Sequence, residues 1–179
     1  EPETMTRRTL LSLTTVAVLV AAGLTSPAAG SAGGAAPAYR PAVFVHGSAG
    51  SALQFRAQAK RLASNGYPSD LIEAHEYDSP NIATVLPEVY AGLDARIARL
   101  LATSGADRVD LLAHSLGTFV VQGYLNSSPA RAARVAHSVT LHGRPAATLP
   151  GGVPTLAIWG EGDPARAVAG AASAAAARP

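Results

Sequence analysis

Short apolar runs bounded by turn-forming residues alternate along this chain with longer stretches whose apolar side chains recur every three or four positions. Continuous apolar runs suit strands buried on both faces, and the periodic stretches suit amphipathic helices crossing between them. Pro41-Ala42-Val43-Phe44-Val45 reads as a strand ending at His46-Gly47, and Ala52 to Asn65 as a helix with Gly66 as its C-cap. Leu71 to Tyr77 reads as a strand ended by Asp78-Ser79-Pro80-Asn81. Val85, Val89, Leu93, Ile97 and Leu101 give the stretch Val85 to Thr103 one apolar stripe, and Ser104-Gly105 stops it. A strand from Val109, a helix from Ser115 to about Ser127, and strands over Val135–Leu141 and Thr155–Gly160 complete the order. The pattern predicts an α/β fold, a mostly parallel sheet with helices on both faces. It contains no internal repeat and no segment long enough to form a lid domain.

The two ends do not follow this pattern. Thr6-Arg7-Arg8-Thr9 precedes an apolar run from Leu10 to Leu24, too short to span a bilayer comfortably, and a small-residue tract follows. Residues 1–38 are therefore expected to be an N-terminal extension and an export signal cleaved between Ala29 and Ala38, giving a secreted product without stable membrane insertion. The paired arginines resemble a twin-arginine signal. Residues 39–164 would be the folded domain, and Ala165 to Pro179 a low-complexity alanine-arginine tail.

Charge and cysteine content narrow the function classes. The formal net charge is +2, with no basic block of the kind that tracks nucleic acid. There is no cysteine, so an exported domain would be held by core packing without disulfides. No cofactor or metal is expected.

The chemistry concentrates at Val109-Asp110-Leu111-Leu112-Ala113-His114-Ser115-Leu116-Gly117, a strand ending in x-Ser-x-Gly and running into a helix. This is the setting of a nucleophile elbow, in which a sharp turn lifts a serine Oγ above the sheet and small residues on either side let strand and helix approach. Here the small residues are Ala113 and Gly117, with alanine where glycine is usual.

With two further segments, Val43-Phe44-Val45-His46-Gly47-Ser48-Ala49-Gly50 and Pro154 to Asp163, the elbow makes the chain resemble the small secreted bacterial lipases and esterases of the α/β-hydrolase family, of the lidless type. The resemblance covers roughly Pro41 to Pro164. It implies a carboxylic ester hydrolase working through an acyl-enzyme on triacylglycerols or short-chain esters, as a monomer. In those terms Ser115 is the nucleophile, Asp163 the orienting acid, and the backbone N–H groups of Ser48 and Leu116 the oxyanion donors. His46 is expected to brace its loop, and Trp159 to be core.

The family order is serine, acid, histidine, yet none of His46, His75, His114, His137 and His142 follows Asp163. On the resemblance, the final strand, the helix after it and the catalytic histidine are missing together. His142, at the end of a predicted strand, is the one substitute the sequence offers, while His114 is expected to point away from the Ser115 Oγ. Other functions stay open on the same residues: a secreted acyltransferase, thioesterase or polyester hydrolase of this fold, or an inactive hydrolase fold that binds a hydrophobic ligand.

Overall fold

The computed structural model describes residues 39–143 and 150–163, so the expected leader and tail lie outside the described residues. Within them are β1 (Ala42–Val45), α1 (Arg56–Ser64), β2 (Ile72–His75), α2 (Ile82–Ser104), β3 (Val109–His114), α3 (Leu116–Ser127), α4 (Pro129–Ala133), β4 (Val135–Leu141) and β5 (Thr155–Ile158). The strands form one sheet in the order β2-β1-β3-β4-β5, every neighbouring pair parallel. The expected α/β class and parallel sheet are therefore what the chain adopts.

Register explains which residues make the core. In a parallel ladder, paired residues point to the same face. Val43 and Val45 pair with Leu111 and Ala113, and these lie fully buried with Val89, Leu93 and Ile97 of α2 and Val120, Val121 and Tyr124 of α3. Of the predicted α2 stripe Val89, Leu93 and Ile97 are buried and Val85 and Leu101 only partly, while Leu100 is covered as well. The helix ends at Gly105, whose φ of 70° lets its N–H bond back to Leu101 O at 3.0 Å. On the opposite face Phe44 stacks on Phe55, ring centroids 4.6 Å apart, where a 3-10 turn (Ala52–Phe55) leads into α1.

Among the described residues that second face is not covered throughout. Leu156 and Ile158 of β5 pair with Val139 and Leu141 and are 59% and 45% exposed. Trp159 is half-buried rather than core, because its indole N–H turns to donate to Gly143 O at 3.0 Å. Among the described residues no helix is long and apolar enough to cross a membrane.

The strand order also places the site. From β1 the chain moves outward to β2, crosses back, and continues on the other side with β3. The carboxyl ends of β1 and β3 therefore diverge into loops that leave in opposite directions, and parallel sheets hold ligands in the crevice opened at such a point.

Candidate active site

Ser115 stands between β3 and α3 with φ 50° and ψ −118°, a conformation that non-glycine residues rarely hold. Strain of this kind costs on the order of 1–3 kcal/mol and persists only where the surroundings enforce it. Here they do. The Ser115 N–H donates to Leu141 O of β4 at 2.9 Å, and its carbonyl accepts from the Thr118 N–H at 2.9 Å and the Thr118 hydroxyl at 2.7 Å. A Cβ at Gly117 would fall 2.4 Å from Val45 O and 2.6 Å from His46 O, so only glycine lets α3 start this close to β1. Ala113, by contrast, lies fully buried in ordinary strand backbone; its place asks for a small side chain and not for a positive φ.

The loop after β1 closes the other side. His46 is fully buried, its ring stacked 4.1 Å from Tyr77, and the Tyr77 hydroxyl donates to His46 O at 2.6 Å. Burial pushes the Tyr77 phenol up to about 12, so it remains a donor. The His46 ring Nδ1 lies 2.9 Å from Gly47 O and its Nε2 lies 3.3 Å from Glu76. Glu76 in turn accepts the Ala52 N–H at 2.7 Å. These contacts hold the loop, not a reacting group.

Between loop and elbow lies an open cleft of about 410 Å³ lined by Ser48, Ala49, Gly50, Ser51, Gln54, His114 and Ser115. Leu116 is the first residue of α3, where backbone N–H groups have no intrahelical acceptor and the helix dipole favours negative charge. Ser48 shares the cleft with Ser115, and Leu116 follows Ser115 at the start of α3.

His114 departs from expectation. It shares the cleft with Ser115, its Nδ1 2.7 Å from Gln54 Nε2. As the last residue of β3 its ring can lean over the strand end rather than stay on the sheet's outer face. Burial first, and the neighbouring His142 second, hold its pKa below the usual imidazole value.

His142 and Asp163 come together. His142 follows β4, and its Nδ1 lies 2.6 Å from Asp163 Oδ2 in the loop after β5. The acid side chain is 7% exposed and the imidazole 54% exposed, so a buried carboxylate carries a ring that opens outward. The segment is pinned on three sides. The His142 N–H donates to Ile158 O at 3.0 Å, a Cβ at Gly143 would collide with Thr118 at 2.5 Å, and one at Gly160 would touch the His142 ring at 3.1 Å. His142 itself has φ 50°. It neighbours the elbow, since the residue before it accepts the Ser115 N–H and its ring centroid lies 6.0 Å from that of His114.

The remaining histidines are accounted for elsewhere. His137 pairs with Asp110 at 2.9 Å, and His75 lies buried under α2 beside Gly92. No group of three metal-ligating side chains occurs among the described residues.

No family model and no curated protein matches the chain. Among solved structures it resembles a cutinase-like protein from Cryptococcus sp., at 15% identity and TM-score 0.53, over 72% of this chain and 79% of that one. This likeness is one of fold. A Bacillus licheniformis lipase in mature form aligns at 25% identity and TM-score 0.49 over 60% of this chain, and a structure of carboxylesterases from Nitrososphaera gargenis at 19% and 0.43 over 60%. This chain spans 42% of the lipase and 38% of the carboxylesterase.

Proposed function

We propose that the chain carries the site of a serine ester hydrolase, with Ser115 as nucleophile and the His142–Asp163 pair as its base. The observation that carries the reading is the forced backbone of Ser115, φ 50° and ψ −118°, at a strand-to-helix junction on the crevice where the strand order reverses. Backbone strain held by this many contacts has little purpose in a plain turn.

The chemistry follows from the groups present. With Nδ1 facing a carboxylate, the neutral His142 ring carries its proton there and leaves Nε2 as the acceptor. Nε2 takes the Ser115 hydroxyl proton as Oγ adds to the ester carbonyl carbon. The oxyanion that forms is met by the N–H groups of Ser48 and Leu116, aided by the α3 dipole. Collapse expels the alcohol, which receives the proton from His142, and leaves an ester on Ser115. Water then adds to that ester, giving its proton to His142, and the acid departs as Ser115 regains its hydrogen. The open cleft leaves the site accessible to soluble short-chain esters.

Hydrolysis of p-nitrophenyl butyrate by the parent and by Ser115→Ala tests the reading. Turnover in the parent with background rates in the variant supports it; equal rates refute it. The export inferred from residues 6–38 is checked separately, by finding the mature N-terminus between Ala29 and Tyr39.

A further inference from the structure

Gln54 stands in the 3-10 turn after β1 and bridges the two halves of the cleft. Its Oε1 lies 3.2 Å from the Gly47 backbone nitrogen and its Nε2 lies 2.7 Å from His114 Nδ1. The orientation of the amide follows from its partners. The Gly47 N–H can only donate, so the amide must turn its oxygen that way and its NH₂ toward His114. His114 Nδ1 must therefore accept, which requires a neutral ring with its proton on Nε2.

We propose that Gln54 is a positioning residue for the oxyanion loop, tying Gly47 and hence the neighbouring Ser48 N–H to the elbow for as long as His114 Nδ1 is unprotonated. The inference rests on the ester-hydrolase reading of the same site. Gly47 leaves no room to substitute another tie, because a Cβ there would meet His114 Nδ1 at 2.8 Å and the Ser115 Cβ at 3.2 Å. The side chain of Gln54 is exposed, so it is not retained for packing, and removing it leaves the core untouched.

A conditional tie follows. Protonating His114 puts a hydrogen on Nδ1 opposite the Gln54 NH₂, donor against donor. The amide then has to rotate, and its NH₂ meets the Gly47 N–H instead. The titratable groups facing His114 are His142, at 6.0 Å between ring centroids, and Asp163 behind that ring. Burial and the His142 ring both hold the His114 pKa down, which keeps the tie closed at neutral pH.

The test pairs kinetics with a measurement that needs no substrate. Gln54→Leu should lower kcat by about 10- to 100-fold with KM within twofold and the melting temperature unchanged. Gln54→Glu keeps the acceptor for Gly47 but has no hydrogen to give an unprotonated His114 Nδ1; its carboxylate closes the tie only when that nitrogen carries the proton, so its deficit against the parent should shrink as the pH falls while that of Gln54→Leu does not. In ¹⁵N-labelled Ser115→Ala protein, the Gly47 amide resonance should titrate together with the His114 ring, and the coupling should vanish when Gln54→Leu is added. A kcat within twofold of the parent in Gln54→Leu, losses in the leucine and glutamate variants that stay equal at every pH, or a Gly47 resonance indifferent to His114 would each overturn the inference. Absence of ester turnover in the parent overturns the catalytic part along with the ester reading. The Gly47–His114 coupling is decided by the spectra in either case.

Discussion

The His142 imidazole and the Asp163 carboxylate meet at 2.6 Å although they belong to loops after two different strands, β4 and β5. The parallel pairing of Leu141 with Ile158 brings the two strand ends level, and the loops then fold toward each other across them. A base and its orienting acid can therefore be assembled with the histidine ahead of the acid in the chain.

The pair makes a graded prediction. His142→Ala should reduce kcat for p-nitrophenyl butyrate by roughly 10⁴-fold or more, leaving the residual that oxyanion donors and binding supply. Asp163→Asn should cost on the order of 10³- to 10⁴-fold, because the amide can favour the wrong tautomer. Full activity in His142→Ala, measured on folded protein, would remove His142 from the mechanism.

Gly117→Ala sets two effects against each other. Alanine is worth up to about 1 kcal/mol over glycine inside a helix. The added carbon would sit 2.4 Å from a backbone oxygen of β1, which cannot move aside as a side chain could. Overpacking costs typically about 1–3 kcal/mol, so the variant should be net destabilised and the elbow displaced. Urea unfolding should show a lower midpoint and esterase assay a lower kcat; a gain in stability with intact activity would contradict the packing described.

His75 predicts acid sensitivity. Burial foremost, with Arg96 next, lowers its pKa from 6.5 to about 4, so the native protein keeps this ring neutral. Above pH 6.5 both native and unfolded chains hold it neutral and it contributes no pH dependence. Between pH 6.5 and 4 the unfolded chain binds a proton that the native chain does not, and stability falls as pH falls. The full effect is at most about 3 kcal/mol. Melting temperature measured across this window should drop in the parent and flatten in His75→Gln; an unchanged slope would assign the acid loss to other groups.

How much of this was legible in the sequence depends on the range of the interaction. β4 occupies the predicted Val135–Leu141, and the apolar stripe of α2 faces the core, because both follow from local periodicity. The elbow was legible for the same reason, as a strand, a serine and a glycine in immediate succession. Burial of β5 was not, since its outward face depends on what packs over it. The His142–Asp163 contact was not legible either, because only strand register brings the two loops level. Gln54 carries no sequence signal at all; a lone glutamine in an amphipathic stretch reads as part of a solvated face. His114 was expected to face away because strand alternation says so, and alternation loses its hold at the last residue of a strand.

The exposed face of β5 gives a prediction about handling. Leu156 and Ile158 of β5, the edge strand among the described residues, form an apolar strip with their half-buried β4 partners Val139 and Leu141. Exposed edges of this kind promote association. Ile158→Lys should shift light scattering toward smaller species without lowering the melting temperature; unchanged scattering would mean the strip is covered in solution.

On the proposed mechanism Ser115 is an activated nucleophile and not merely a strained turn. The most direct measurement is the rate at which a fluorophosphonate attaches to the protein, followed by intact mass and peptide mapping. A single adduct is expected on Ser115, formed in the parent far faster than in His142→Ala and absent from Ser115→Ala. No adduct on folded parent protein, or an adduct whose rate is the same with and without His142, would contradict it.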